Sequence, residues 1–174
     1  MSTPVIAVCM PVAEKIETEA FQSCLALDIP RPYHLLDRRE VHDISNARNQ
    51  IIGRLLFDPA LKDVTHLLWI DDDMAFPADS FRRLLAHDLP IVGGLCHARH
   101  APHYAPILLY RNEAGSYLYR HDYPRRVVEV DATGGAFLLV RRDVFEAIEK
   151  KFPTHGEGPF SNRGQGEDVS FCER

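Results

Sequence analysis

Three consecutive aspartates follow an apolar run in the segment THLLWIDDDMAF, residues 65–76. Adjacent carboxylates repel one another, and each resists leaving water unless a positive group stands beside it. Mg²⁺ and Mn²⁺ prefer carboxylate oxygens and take one or two from the protein, filling their remaining positions with water and substrate phosphates. The triplet therefore predicts Asp71 and Asp73 as ligands of Mn²⁺ or Mg²⁺, with a metal-bound diphosphate as the docked group.

A purely structural role for these aspartates is the alternative. Asp72, Asp73 and Asp79 could cap a helix that begins near Pro77, or stabilise its dipole from the first turn. If strand alternation persists briefly, however, Asp71 and Asp73 project to one side and Asp72 to the other. One pair of oxygen ligands would then face a crevice together.

Strands and helices alternate in the first half of the chain. Hydrophobic patterns predict strands at 5–10, 33–36, 64–70 and 90–95, and helices at 15–27, 45–57 and 77–88. We expect the first strand to end at Pro11, the second to close on Asp37, and the second helix to be capped by Asp43 or Ser45. This order predicts an α/β fold whose mostly parallel central sheet is flanked by helices. Ligands bind such sheets beyond the carboxyl ends of the strands, where the aspartates lie.

The second half has a different pattern. Residues 105–111 and 115–121 flank NEAG and predict a hairpin, and 126–142 contains two more strand-like runs around Gly134-Gly135. A helix at 143–152 and a Gly-rich loop at 153–166 follow. We expect a smaller antiparallel region here, in a single domain 1–174 with a nucleotide-binding half at about 1–95 and an acceptor-side half at about 96–174.

Composition restricts the class of protein. The chain has 174 residues, 45% hydrophobic and 26% charged, and a net charge of -5, which disfavours nucleic acid as the main partner. Its four cysteines form no metal-binding spacing and are predicted to be free thiols in a reducing, cytoplasmic compartment. No signal peptide or membrane span is expected. The ending GEDVSFCER carries no helix stop signal, which suggests a fragment of a longer protein.

Four segments together resemble a known enzyme family. HLLWIDDDMAFPADSFRRLL resembles the Asp-x-Asp region of GT-A-fold glycosyltransferases, particularly the family 2-like inverting enzymes. ISNARNQIIGRLL is similar to their Ala-Arg-Asn helix, DATGGAFLLVRRDVFEAI to their acceptor strand, and GEDVSFCER to their Glu-Asp motif. The four segments keep the family order and span about three-quarters of the chain.

The resemblance implies a GT-A-like, Rossmann-like fold and a metal-dependent hexosyltransferase that moves a sugar from a nucleotide-diphosphate sugar to an acceptor hydroxyl. It implies that Asp71 contacts the nucleoside or ribose and that Asp73 ligates the metal, with Asp72 among the donor-binding residues. Arg48 would lie near the base or the phosphates, and Asp37 would hydrogen-bond the base. The alternative for Arg48 is a surface helix residue, although its helical neighbours offer no salt-bridge partner.

The other end of the chain supplies candidates for catalysis. Removing the acceptor proton requires a positioned carboxylate, and Asp168 is the candidate base, with Glu167 assisting or orienting it. The alternative is that this Glu-Asp pair only caps a helix and stabilises its dipole. Gly134 and Gly135 are expected where backbone approaches the sugar or acceptor, and an ordinary β-bulge is the alternative.

Three further hypotheses stay open. His97, His100 and His103, with Cys96, could bind zinc, although their spacing converges poorly and a polar loop lining the acceptor cleft is the alternative. The chain could be a noncatalytic metal- or carbohydrate-binding module of the same fold. It could also be a nucleotidyltransferase, which is disfavoured because the first strand lacks a Gly-rich phosphate loop.

Overall fold

The structure, a computed structural model, describes residues 3–39, 43–98, 104–162, 164 and 166–174. Its strands are β1 (Ile6–Val12), β2 (His34–Arg39), β3 (His66–Ile70), β4 (Ile91–Gly93), β5 (Leu108–Arg111), β6 (Tyr117–Tyr119), β7 (Ala132–Thr133) and β8 (Phe137–Arg141). Its α-helices are α1 (Thr18–Ala26), α2 (Ile44–Phe57), α3 (Ser80–Leu85), α4 (Arg142–Glu149) and α5 (Glu167–Cys172), and Pro59–Leu61 forms a 3₁₀ turn.

The central sheet has five strands in the order β2-β1-β3-β8-β4. β1 pairs in parallel with β2 and β3, while β8 runs antiparallel to both β3 and β4. Four strands therefore run in one direction and β8 in the other. A separate three-stranded antiparallel sheet has the order β6-β5-β7. The prediction of an α/β fold with a mostly parallel central sheet and a smaller antiparallel region is confirmed.

Both faces of the central sheet are covered, which explains why β1 and β3 are apolar throughout. Alternate residues of β1 belong to two different cores: Ala7 and Cys9 pack on one face, and Ile6 and Val8 on the other. Helices α2 and α4 cover the first face, and α3 covers the second. Trp69 lies in the first core and is fully buried, as its position before the aspartates predicts.

Helix α2 begins where a side chain can satisfy its first backbone donors. The Asp43 carboxylate accepts from the Asn46 N–H at 3.0 Å, so the prediction of Asp43 as N-cap is confirmed and Ser45 lies inside the helix. The hairpin is also confirmed, since β5 and β6 pair across a turn closed by the Asn112 N–H and the Ser116 carbonyl at 2.9 Å.

The predicted ends of the first two strands are wrong. β1 continues through Pro11 to Val12. Its pairing with β3 ends at Cys9, so beyond that point β1 pairs only with β2, and a proline, which lacks an N–H, is tolerated there. β2 does not close on Asp37 but runs to Arg39, which is in register with Val12. Asp37 is therefore an exposed residue within an edge strand.

Two helices are shorter than their patterns predict. α1 begins at Thr18 rather than near residue 15, because Glu17 is extended and gives its N–H to the Asp72 carbonyl at 2.8 Å. α3 begins at Ser80, beyond Pro77, and does not reach Asp88, whose φ of 50° leaves the helical region. Local periodicity continues past both ends, but tertiary hydrogen bonds and turns decide where each helix forms.

One predicted strand is mostly absent from the described residues. Of the run before Gly134-Gly135, only Ala132–Thr133 forms a strand, which pairs with Leu108 and Leu109 of β5. β8, from the second half of the sequence, enters the central sheet between β3 and β4. The four cysteines are free thiols. None of the helices in the described ranges is long and apolar enough to cross a membrane.

Candidate functional site

A buried arginine stands where the sequence motifs meet. Arg48 is 1% exposed, because it lies on the same stripe of α2 as Ile51, Ile52 and Leu55. Its Cζ lies 5.3 Å from the ring centroid of Trp69 and 5.4 Å from that of a second aromatic residue, Phe160. The alternative that Arg48 is a surface helix residue is wrong, since its guanidinium is buried against two aromatic rings.

Three carboxylates surround this guanidinium. Arg48 Nη2 lies 2.9 Å from Asp71 Oδ1 and 3.7 Å from Asp168 Oδ1, and Arg48 Nε lies 3.9 Å from Glu167 Oε1. Asp71 directly follows β3, whereas Glu167 and Asp168 form the first turn of α5. The Asp-x-Asp and Glu-Asp motifs therefore converge at the carboxyl edge of the sheet.

The cluster is not internally satisfied. Within the part of the chain that the structure describes, Arg48 Nε and Asp168 Oδ1 are buried atoms without a hydrogen-bond partner. Three carboxylates lie within 4 Å of this one guanidinium. Burial raises the pKa of the Glu167 carboxyl above its ordinary value, and the neighbouring Asp168 raises it further, while Arg48 acts in the opposite direction.

Gly135 allows this cluster to close. A Cβ on Gly135 would lie 2.6 Å from Asp168 Oδ1 and 2.8 Å from Arg48 Nη1, and the Gly135 carbonyl accepts from Arg48 Nη1 at 3.3 Å. A Cβ on Gly134 would meet only Ile107, at 3.4 Å. The close approach at Gly135 is thus to the protein's own charged groups, and an approach of either glycine to a sugar stays a prediction.

The remaining aspartates of the triplet have different surroundings. Strand alternation ends at Ile70, because the Met74 N–H turns back to the Asp71 carbonyl at 3.2 Å. Asp72 Oδ2 accepts from the Ala13 N–H at 2.9 Å and so anchors the loop after β1. The capping alternative is therefore wrong for Asp72, and Asp79 makes no side-chain capping bond although it is the N-cap of α3.

Asp73 lies half-buried in this turn, directly beyond β3. Asp37 is in register with Met10 on β1, and it lies two strands away from the strand that Asp71 follows, a separation of about 10 Å at ordinary strand spacing. Asp37 thus belongs to the same sheet edge as Asp71 but not to the cluster around Arg48.

The donor set fits a metal that arrives with phosphate ligands. Within the described ranges, no group of three or more His, Cys, Asp or Glu side chains is arranged to hold a metal ion. Mg²⁺ and Mn²⁺ need only one or two protein carboxylates when substrate phosphates and water complete the shell. Asp71 and Asp73 are carboxylates of the kind that these cations prefer, and both directly follow β3 at the carboxyl edge of the sheet.

The histidine hypothesis falls largely outside the described residues, which include His97 but not His100 or His103. His97 forms an isolated bridge with Pro106, and its Nε2 lies 3.5 Å from the Tyr123 hydroxyl. Burial, and next to it the charge of Asp71, raises the pKa of the Cys96 thiol to about 11.

Sequence reasoning missed two residues of the site. Phe160 contacts Arg48, and the Asn49 amide bonds the backbone of the loop that carries Phe160. A signal for Phe160 exists, because it is the one large apolar residue in the Gly-rich segment 153–166. Asn49 carries no comparable signal, since a half-exposed asparagine in a helix has no predictable distant partner.

Comparisons with known proteins leave the family open. No protein-family model and no curated protein matches the chain. Among solved structures, a glycosyltransferase involved in glycosylation of the major capsid of PBCV-1 is 16% identical with a TM-score of 0.44, over 94% of this chain and 72% of that one.

Two 4-diphosphocytidyl-2C-methyl-D-erythritol synthases are also similar in structure. One is 8% identical with a TM-score of 0.45, over 86% of this chain and 81% of that one. The other, from Anaerococcus prevotii, is 9% identical with a TM-score of 0.47, over 85% and 76%. At these TM-scores and identities, the similarities assign no function to the chain.

Proposed function

We propose that this protein is a metal-dependent glycosyltransferase that moves a sugar from a nucleotide-diphosphate sugar to an acceptor hydroxyl with inversion. The observation that carries the proposal is the meeting of Asp71, Glu167 and Asp168 around the buried Arg48. A role limited to capping helices would not require carboxylates from two distant segments to share one guanidinium. The ordered resemblance of four sequence segments to GT-A glycosyltransferases supports the same activity.

In this proposal Asp71 and Asp73 hold Mn²⁺ or Mg²⁺, which supplies Lewis-acid stabilisation of the departing diphosphate when bound. Asp37 and Asp72 belong to the donor-binding edge. Arg48 orients Asp71, because its Nη2 donates a charge-assisted hydrogen bond to Asp71 Oδ1 at 2.9 Å. Gly134 and Gly135 leave space beside the sugar or acceptor.

Asp168 takes the acceptor proton. The acceptor oxygen forms a bond to the anomeric carbon, the bond from that carbon to the diphosphate oxygen breaks, and its electron pair leaves with the diphosphate. The hydroxyl proton passes to the Asp168 carboxylate. Its buried Oδ1 atom, which has no hydrogen-bond partner, supports this role because an unsatisfied acceptor favours a substrate that brings a donor.

A nucleotidyltransferase is the second candidate, and it is disfavoured. Such chemistry needs backbone N–H groups after the first strand that are directed at phosphates. The first of them here, Ala13 N–H, is already bonded to Asp72 at 2.9 Å. The same loop carries Lys15, which is paired with Glu17 at 3.5 Å.

Thermal-shift measurements with UDP-, GDP-, CMP- and dTDP-sugars, with and without Mn²⁺, test donor binding, because a ligand stabilises the folded state by mass action. We expect one nucleotide class to raise the melting temperature only when Mn²⁺ is present. Asp73→Ala should abolish this shift with the fold intact, whereas Asp79→Ala, an exposed aspartate a few residues away, should retain it. The absence of any metal-dependent shift in the unaltered protein would overturn the proposal.

Transfer of sugar to an acceptor tests the catalytic assignment. Asp168→Asn should keep the donor-induced thermal shift and lose transfer, because the amide cannot accept the proton. Asp79→Asn is the matched control and should transfer at the normal rate. A noncatalytic module of the same fold would bind donor but show no transfer in any variant.

A further inference from the structure

The Asn49 side chain holds a distant loop against α2. Its Nδ2 donates to the Phe160 carbonyl at 2.7 Å and to the Glu157 carbonyl at 3.2 Å, and its Oδ1 accepts from the Phe160 N–H at 3.0 Å. One amide thus makes three hydrogen bonds to backbone more than a hundred residues away. Asn49 immediately follows Arg48 in the helix.

The loop is shaped to fit this amide. Gly158 has a φ of 67°, and a Cβ added to it would lie 2.5 Å from both Nδ2 and Oδ1 of Asn49. Any side chain at Gly158 would therefore collide with the amide and would also be strained by the backbone conformation. The chain passes directly over Asn49 between its two bonded neighbours, Glu157 and Phe160.

This attachment fixes the aromatic partner of Arg48. Phe160 is 1% exposed, and its ring packs edge-on against Trp69 at 5.5 Å and stacks on Phe171 of α5 at 4.9 Å. Trp69 and Phe160 lie 5.3 and 5.4 Å from the Arg48 guanidinium carbon. Trp69 comes from β3, so the loop supplies the second ring only while it stays attached to α2.

The loop is then tied to the helix that carries the other carboxylates. The Ser161 N–H donates to Ser170 Oγ at 2.8 Å, and Ser170 Oγ donates to the Glu167 carbonyl at 2.8 Å. Ser170 is 6% exposed, so water competes little for these bonds. A continuous set of hydrogen bonds therefore runs from Asn49 through residues 160–161 to the first turn of α5.

We propose that Asn49 is a positioning residue: by holding residues 157–160 on α2, it keeps Phe160 over Arg48 and, through Ser161 and Ser170, sets where Glu167 and Asp168 lie. The inference rests on the proposed function for the purpose of the site, but the placement can be tested without substrate. Asn49 touches no reacting group and acts only through its neighbours.

The first test uses the single tryptophan of the chain, Trp69. In Asn49→Ala, the tryptophan band of the near-UV circular dichroism spectrum and the fluorescence of Trp69 should change at temperatures well below melting, with far-UV helix content preserved. Asn46→Ala is the matched control, the same substitution at an exposed position one turn earlier, and should leave both signals unchanged. A role in stability alone would lower the melting temperature without altering the folded-state spectrum.

Asn49→Asp provides a second variant of nearly equal size. It keeps an acceptor for the Phe160 N–H but sets a carboxylate oxygen against the Glu157 and Phe160 carbonyls, so the Trp69 signals should change in the same direction. Wild-type Trp69 signals in folded Asn49→Ala or Asn49→Asp would overturn the proposal. Failure of both variants to fold would also overturn it, because Asn49 would then serve folding rather than the placement of Arg48.

The second test separates this proposal from the proposed function. For sugar transfer, Asn49→Ala should lower kcat about 10- to 100-fold with the donor KM nearly unchanged, because displacing the base, Asp168, affects the transition state most. If the unaltered protein transfers no sugar, the proposed function fails while the Trp69 test still decides the role of Asn49. If it transfers sugar and Asn49→Ala has normal kcat, the positioning role fails and the proposed function stands.

Discussion

Arginines at the two ends of the central sheet differ in how completely their charge and hydrogen bonds are satisfied. At the amino end, Arg141 forms a two-point pair with Asp143 at 3.2 and 3.0 Å. Next to it, Arg142 donates to Glu146 and to the Leu61 carbonyl, each at 2.7 Å. At the carboxyl end, Arg48 faces three carboxylates, and its Nε atom has no hydrogen-bond partner.

The difference separates structural from functional charge. Each arginine at the amino end has one carboxylate partner at the rim of the fold, an arrangement that contributes little but is complete. The cluster around Arg48 is more deeply buried, and among the described residues it places three carboxylates near one guanidinium and leaves Asp168 Oδ1 without a hydrogen bond, which costs free energy. We infer that the carboxyl end is shaped for a ligand, and the predictions below test that contrast.

Replacing the two arginines should have the largest effect. Arg48→Met should destabilise the protein by about 3–5 kcal/mol, because it removes a buried cation that lies within 4 Å of three carboxylates. Arg142→Met removes an ion pair and one carbonyl contact and should cost about 1 kcal/mol. Urea unfolding of both variants checks the difference, and equal losses would remove the distinction between the two ends.

Two adjacent glycines sharpen the picture of the carboxyl end. Gly135→Ala introduces a Cβ 2.6 Å from Asp168 Oδ1 and should destabilise the fold by about 1–3 kcal/mol by overpacking. Gly134→Ala meets only Ile107 at 3.4 Å and should change stability by less than about 1 kcal/mol. Thermal unfolding of the pair measures this. If Gly135→Ala does not lower the melting temperature, the Arg48 cluster can accommodate the added methyl group.

The raised pKa of Glu167 gives the carboxyl end a pH dependence. As pH rises past 4.5, the ordinary pKa of a glutamate, the unfolded chain loses this proton before the folded protein does. The folded state therefore loses stability until pH passes the raised pKa of Glu167 in the fold. Glu167→Gln cannot ionise and should gain stability relative to the unaltered protein across that window. Urea midpoints measured against pH provide the check.

Glu146→Gln at the amino end is the control for this pH dependence. It removes the carboxylate that pairs with Arg142 at 2.7 Å, and this variant should gain no stability relative to the unaltered protein as pH rises. A similar gain in both variants would show that the effect does not belong to the buried cluster.

His66 at the amino end should give the smallest effect. Burial lowers the pKa of His66 below the ordinary 6.5, and Arg141 lowers it further. As pH falls, the unfolded chain therefore takes up this proton before the folded protein does. Stability that is present above about pH 6.5 is then lost as pH falls through the lowered pKa of the folded state. His66→Gln should lose less stability than the unaltered protein as pH falls below about 6.5, as urea midpoints measured against pH would show.

The exposed His87 offers a matched control for this comparison. His87→Gln should follow the unaltered protein on acidification, since it replaces an exposed side chain and removes no buried group. Identical curves for His66→Gln and His87→Gln would contradict the burial of the His66 ring as the cause.

Much of the fold could be predicted because it depends on local sequence patterns. Alternating apolar runs predicted the strand and helix order, NEAG predicted the hairpin, and Asp43 predicted the start of α2. The misplaced ends of β1, α1 and α3 have one cause in common. Hydrophobic periodicity reports which residues can be buried, whereas pairing partners and tertiary hydrogen bonds decide where an element stops, as Glu17 does at α1.

The candidate site was predictable by residue type more than by arrangement. Arg48 falls on the apolar stripe of α2, and that position has two outcomes: an exposed arginine, or a buried one whose charge is met by distant groups. Helix spacing cannot distinguish them, because the partners Asp71 and Asp168 lie 23 and 120 positions away in the sequence. Phe160 and Asn49 were missed for the same reason.

By itself, the sequence determined the α/β class, the position of the aspartates at the end of a buried strand, and the supply of carboxylates that oxygen-binding cations favour. Only the tertiary structure decided that β8 enters the sheet beside β3, that Arg48 is buried against two aromatic rings, and that Glu167 and Asp168 meet Asp71 there. The physical reason is the distance along the sequence over which each interaction acts. Periodicity and capping act over a few residues, whereas charge neutralisation in a core depends on groups that only the folded chain brings together.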